Sequence, residues 1–440
     1  MTLPSQGYYS RHRVAYHSAA TQRVWTPGHY ISFYSSLTAL SGGAVKSTAI
    51  AIYDAIAPKP AAKGVDITII WSQCETALGV YDDSIVDAHL AACVARGLHL
   101  CIRVSHKTFA LTDHAVPAYM QAGANDALYG NDNGGGTGNS SGGEYQISNG
   151  YVAKLNIEAV YARFVAWLNH LGSKYNSNPN VEMFYFNESS QGTAVNYTLT
   201  SAVTTNFFAN LTRVGAAAKA GATSKIIAQL FNFPQDKLAS IYSGLIANGV
   251  GLGNPDTFTS TIIGETRNSE PYNHNIALAG AAAAFTSPND YDRAYTYSAD
   301  ANGKIPIVSL VSPDSWDHDR PHQTDPTTYI APATASELRI WCRDQLKSTH
   351  MFWYYNNGAP AAYNAGTAYS YRDLVAANGV TYQSKILGTG TNTGNAVTDT
   401  NSWQNLGDTF PAMDKQFYPL MDSLASLPGG GLNTAYPSLL

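Results

Sequence analysis

Val181-Glu182-Met183-Phe184-Tyr185-Phe186-Asn187-Glu188 is a short apolar, aromatic-rich run that stops abruptly on an Asn-Glu pair. A strand that ends on a carboxylate leaves an acid at a sheet edge, where a substrate can reach it. In a β/α barrel that edge is the face on which active sites are built. The reading of the fold turns on how many strand–helix units flank this run and on which of them it ends.

Upstream, strand-like runs occupy 23–33, 65–71 and 98–104, with helical segments at 45–57 and 83–96 between them. In the second helix Ile85, Val86, Leu90 and Val94 share one face, and Gly97 stands where a C-cap glycine belongs. A glycine-rich loop at 130–150 and a helix at 152–172 lead into the Asn187-Glu188 strand, which is the fourth. Downstream, strand candidates at 225–231, 250–258, 304–311 and 350–355 alternate with helical segments at 200–220, 234–248, 275–285 and 334–347, and a last helix spans 410–426. Eight units make a closed (β/α)8 TIM barrel of α/β class the economical architecture. Residues 371–408 break the rhythm with turn-rich, strand-like sequence, and predict a small β-rich insert between the last strand and the last helix. The predicted organisation is a barrel over 1–370, the insert over 371–408, and the last helix with a tail over 409–440.

Composition narrows the function. Of the 440 residues only 13 % are charged, against a usual fraction of about 25 %. Solubility rests instead on Asn, Ser, Thr, Gly and 29 Tyr, a polar and aromatic surface common among proteins that handle glycans outside cells. A net charge of −5 argues against nucleic acid as a partner. No apolar run approaches the ~20 residues of a membrane span, and the N-terminal residues lack the basic and apolar regions of a secretory signal. Cys74, Cys93, Cys101 and Cys342 form no CxxC pair and are expected to be buried free thiols. Gly134-Gly135-Gly136 is not followed by Lys-Ser/Thr and is no phosphate loop. Motifs for an esterase elbow, a zinc protease or a dinucleotide turn are missing, and no cofactor is expected.

Three segments together resemble the (β/α)8 glycoside hydrolase superfamily that carries Asn-Glu at the end of strand four. They are Asn187-Glu188, Trp71-Ser72-Gln73-Cys74-Glu75 with Gly79-Val80-Tyr81-Asp82, and the aromatic Phe352-Trp353-Tyr354-Tyr355. The resemblance implies that Glu188 is the acid/base and that Asn187 bonds a sugar 2-hydroxyl, and it makes Glu75 an anchor of the strand-two loop. Tyr382 and Trp403-Gln404 resemble small chitin-binding-type modules appended to chitinases and to phage tail proteins.

Glycoside hydrolysis normally takes two carboxyl groups. The superfamily's nucleophile is a Glu ending strand seven, where this chain has none. Asp314, just beyond that strand, and Glu265, in Ile262-Ile263-Gly264-Glu265-Thr266-Arg267, are the two leading partners, with Asp256 behind them. A shorter Asp at 314 would widen the gap toward the ~6.5–9.5 Å of an inverting enzyme, so stereochemistry stays open. His29, His106, Trp71 and Trp316, at or beyond strand ends, are candidate cleft residues, as are Trp353 and Tyr355, which have the parity to share one side of strand eight. Trp353 is the expected stacking platform. Asp317-His318-Asp319-Arg320-Pro321-His322 holds Ca²⁺-type ligands, yet reads best as a solvated loop, and no metal is expected.

The expected function is cleavage of a microbial surface or exopolysaccharide, virion-associated or extracellular. Poly- or oligosaccharide is the substrate, and other phage virion proteins are possible partners. The alternative is a catalytically silent, glycan-binding tail protein, which the missing strand-seven Glu favours.

Overall fold

Apolar side chains recur along the helices at helical spacing and along the strands on both faces, so each strand must be covered twice. In a computed structural model the described residues are 23–33, 35–123, 125–130, 142–195, 197–231, 235–255, 257, 265–267, 270–272, 301–312, 320–321, 329–330, 333–355, 361–369, 373–385, 393–407 and 412–440. Eight strands close into a parallel barrel: β1 (Gly28–Phe33), β2 (Ala62–Ile70), β3 (His99–Ser105), β4 (Val181–Phe186), β5 (Ile226–Leu230), β6 (Gly251–Asn254), β7 (Ile307–Val311) and β8 (His350–Tyr354). Each pairs with its sequence neighbour, and β8 closes on β1 through Tyr30↔Phe352 and Ile31↔Trp353. The Asn-Glu run is therefore the fourth strand of a closed (β/α)8 barrel.

The helices earn their places by pattern. In α1 (Ser47–Ile56) Ala49, Ile52, Tyr53 and Ile56 are buried at i, i+3, i+4 and i+7. Helix α2 (Ser84–Val94) stops just before Gly97, which takes φ +66°. Helix α3 (Glu158–Tyr175) buries Val160, Phe164, Trp167, Leu168 and Leu171. Helix α4 (Ser201–Gly221) is capped by the Thr200 side chain, which accepts from the Val203 N–H. Helix α5 (Gln235–Ala247) follows β5, and α6 (Ala335–Trp341), opened by a Thr334–Glu337 capping box, precedes β8. Helix α7 (Tyr418–Ser423) buries Leu420 and Met421. The segment expected to be helical at 275–285 lies outside the described residues.

Two differences from expectation stand out. Residues Glu144–Ile147 and Gly150–Ala153 form an antiparallel hairpin in the long connection after β3, where a loop and a helix start were expected. The small β module also begins earlier than 371. Its sheet runs Ala361–Ala362, Leu374–Ala377, Val380–Ser384, Trp403–Gly407, and its tight turn Asn378-Gly379 has φ +52° and +78°, as a type I′ hairpin requires.

Inside the barrel, the lower layers are apolar: Tyr30, Cys101, Met183, Ile226, Ala228, Leu230, Val308, Leu310 and Phe352 pack together. The barrel floor is polar. Glu182, fully buried, accepts from the Thr26 N–H and from His350 Nε2 at 3.3 Å, with His99 Nδ1 at 3.6 Å. Burial opposes its charge, but these partners outweigh that cost and hold the carboxyl below its ordinary range. Trp25 closes the floor from below, edge-on to His350 at 5.4 Å and to Tyr436 at 5.7 Å, and its Nε1 donates to the Thr434 carbonyl at 2.9 Å.

Candidate active site

Parallel strands leave their C-terminal ends on one face, so the residues that follow β3 and β4 stand side by side at the mouth. Inward-facing residues on adjacent strands build the site in layers. Above the polar floor and the apolar layers lies Asp66, wholly buried, which accepts from Ser32 Oγ at 2.7 Å and Tyr185 Oη at 2.6 Å, with Arg103 Nη2 3.3 Å away. Arg103 also donates to Tyr354 Oη at 2.6 Å and to Ser32 Oγ at 2.8 Å. Burial pushes the Asp66 carboxyl above its ordinary range, against the opposing pull of Arg103, Tyr185 and Ser32. One layer higher, Asn187 Nδ2 donates to Ser105 Oγ at 3.1 Å, and Gln229 Nε2 donates to the Asn187 carbonyl at 2.7 Å. Ser105 thus holds the side-chain amide, and Gln229 holds the backbone that carries it.

At the rim Lys107 and Glu188 form an ion pair, with the Lys107 ammonium also donating to the Ser190 carbonyl at 3.1 Å. The lysine side chain is 3 % exposed and the glutamate 17 %. Lys107 was missed in the sequence, although a signal exists. It lies two residues past Ser105, on the parity of Cys101 and Arg103, and so continues the inward row of β3. Phe109 follows on the same loop, with its ring centroid 4.8 Å from Lys107 Nζ.

Several expected cleft residues face elsewhere. His29 and Trp353 lie on the outer wall: Trp353 Nε1 donates to His29 Nδ1 at 3.1 Å, and His29 Nε2 donates to the Gly430 carbonyl at 3.2 Å. That pattern fixes the neutral tautomer, and burial takes the His29 pKa down to about 4. Gly430 comes so close that a Cβ there would stand 2.5 Å from the His29 ring. Tyr355 does share a side with Trp353, but it is this outer side, edge-on to Phe33 at 6.5 Å. Trp71 is buried, parallel to Trp167 at 6.3 Å, and donates to Glu75 Oε2 at 2.8 Å. Glu75 anchors its loop, accepting also from the Gly79 N–H, Tyr119 Oη and Arg163. Trp403 is the core of the β module, 2 % exposed between Tyr363 and Tyr369, and Tyr382 packs half-buried against that cluster. A buried indole offers a sugar no face. Asp314, Trp316 and Asp256 lie outside the described residues. Glu265 opens a short hairpin with Glu270–Tyr272, and its side chain is likewise outside them. Among the described residues no group of His, Cys, Asp and Glu is disposed to hold a metal ion, and all four cysteines are buried free thiols.

His106 points outward between Phe164 and Phe207, and neither ring nitrogen has a hydrogen-bond partner among the described residues. Burial takes its pKa down to about 3. The unfolded chain binds this proton below about 6.5, whereas the folded one does not until near 3. The stabilisation is thus present above pH 6.5 and is lost as pH falls toward 3. His106→Phe is expected to be neutral or stabilising at pH 7. Its advantage in urea unfolding should then grow by about 1.4 kcal/mol per pH unit between pH 6 and 4. A constant difference across that range would disprove the outward, neutral placement.

No protein-family model matches the sequence, and no curated protein matches it. Solved structures are matched only distantly. The catalytic domain of β-amylase from Paenibacillus polymyxa is 9 % identical, over 76 % of this chain and 92 % of that one, with a TM-score of 0.46. Endo-glycoceramidase II from Rhodococcus sp. is 12 % identical, over 82 % and 84 %, with a TM-score of 0.43. A β-galactosidase from Bacillus circulans sp. alkalophilus is 10 % identical, over 76 % of this chain but only 51 % of its own length, with a TM-score of 0.46. Likeness at this level speaks to neither activity nor substrate.

Proposed function

We propose that the protein is a glycoside hydrolase acting on a microbial surface or exopolysaccharide, with Glu188 as its general acid/base. The observation that carries this reading is the position of Glu188. It is a partly accessible carboxylate at the C-terminal end of barrel strand four, beside the Asn187 amide, which donates to Ser105, on a backbone held by Gln229. Active sites of (β/α)8 enzymes lie on that face, built from residues at the ends of several strands. Asp314 or Glu265 is proposed as the second carboxylate, since the reaction needs a nucleophile or a base for water opposite the acid. The low charge and abundant tyrosine support an exterior polysaccharide as substrate.

The Lys107–Glu188 pair favours a second reading. A carboxylate bonded to a buried ammonium is a fixed acceptor, which suits recognition of sugar hydroxyls by a silent, virion-borne receptor as well as it suits catalysis. Reducing-end release from a panel of bacterial exopolysaccharides separates the two. Hydrolysis by the wild type and its collapse in Glu188→Gln support the enzyme. Equal, nonzero release by both removes Glu188 from the mechanism, and binding without release establishes the receptor.

A further inference from the structure

We propose that Phe109 is the stacking platform of a sugar subsite immediately beside Glu188. This deepens the glycoside reading and rests on it. Phe109 is 53 % exposed at the barrel mouth, while its chain neighbours Lys107 and Thr108 are almost wholly buried. Its ring lies against the ammonium that binds Glu188, so an apolar face and a charged donor–acceptor pair converge on one spot. A pyranose ring presents that combination in reverse, with C–H groups on its faces and hydroxyls around its edge. The C–H face would lie on the π-cloud, whose partial negative charge suits it. The edge hydroxyls would then meet Glu188, the partly accessible member of the ion pair.

The platform is built rigidly. The Thr108 N–H donates to the Tyr151 carbonyl at 2.9 Å, and the Tyr151 N–H donates to Thr108 Oγ1 at 2.9 Å. Thr108 Oγ1 in turn donates to the Asp113 carbonyl at 2.7 Å. Gly150 lets the Glu144–Ala153 hairpin press against this segment, because a Cβ there would stand 2.1 Å from the Thr108 carbonyl oxygen. Lys107 is bridged to Val152 of the same hairpin. An exposed ring held this firmly loses little freedom when a ligand covers it. Trp353, the aromatic expected to stack, is on the far side of the barrel wall, and Phe109 supplies a platform from strand three instead.

The test is affinity electrophoresis of wild type, Phe109→Ala and Phe109→Trp through gels containing a soluble bacterial exopolysaccharide (xanthan, gellan, dextran, levan or bacterial alginate), with reducing-end release measured on the same polymers. Phe109→Ala is expected to weaken binding to the retarding polymer by roughly ten- to a hundredfold, the range for uncovering one phenyl side chain. Phe109→Trp should keep wild-type binding, and the melting temperature of both variants should stay unchanged. Equal retardation of Phe109→Ala and wild type overturns the subsite and leaves the Glu188 reading standing. Equal weakening by Ala and Trp overturns stacking as the cause. Neither retardation nor release of any polymer by the wild type overturns both together.

Discussion

Arg103→Met should lower the unfolding free energy by about 3–5 kcal/mol, seen as a lower urea midpoint with an unchanged slope. Arg103 is the cation facing Asp66, and both are sealed inside the barrel. Methionine fills much of the same volume and removes only the charge and its donors, so the loss measures an uncompensated buried carboxylate. Two hydroxyl donors, from Ser32 and Tyr185, remain to Asp66, which is why the cost stays well below that of a bare ion. The pH dependence identifies the cause. The Asp66 carboxyl already titrates above its unfolded value, and losing Arg103 raises it further. The folded variant then takes up a proton that the unfolded chain does not, so its deficit shrinks as pH falls from 7 into the acidic range. A double variant, Arg103→Met with Asp66→Leu, should recover most of the loss, because an apolar pair often replaces a buried ion pair at little cost. A pH-independent deficit would place Asp66 outside the account.

Glu188→Gln should reduce turnover by roughly 10²- to 10⁴-fold, the usual contribution of a positioned acid or base. That corresponds to about 2.7–5.5 kcal/mol of barrier. Glutamine preserves shape and leaves an oxygen acceptor for Lys107 Nζ, which also keeps the Ser190 carbonyl. The fold should therefore survive with an unchanged circular dichroism spectrum. A fall in activity accompanied by a large fall in melting temperature would instead mean that the ion pair is structural. Substrate affinity should change little if Glu188 acts chiefly in the transition state.

Much of the barrel was legible in the sequence, since repeated alternation of apolar runs and helical faces is what a parallel closed sheet demands. The direction of side chains was not. Trp353 and Tyr355 share a parity, as expected, but parity alone does not say which side faces the axis. The answer lay in Ser32, Asp66, Arg103 and Tyr185, whose polar groups need one another and so mark the inward row. His29, His106 and Trp353 were drawn into the cleft by residue type, whereas packing assigned them to the wall. The Glu144–Ala153 hairpin was hidden by its glycine-rich surroundings, and its two turn residues, Ser148-Asn149, are not the Asn-Gly pair that marks a tight hairpin. Trp403 illustrates the converse: in a module with so few residues to bury, the largest aromatic becomes its core.

The seam where β1 meets β8 has a consequence for how the chain comes to be folded. Tyr30 must find Phe352, and the floor beneath them needs Trp25 to meet Thr434 and Tyr436. During synthesis, the wall stays open along β1 until β8 (His350–Tyr354) has emerged. Contacts spanning such separations in sequence make folding slow, because loop-closure entropy is lost before the contacts form. Until then, the unpaired edge of β1 is open to wrong pairing.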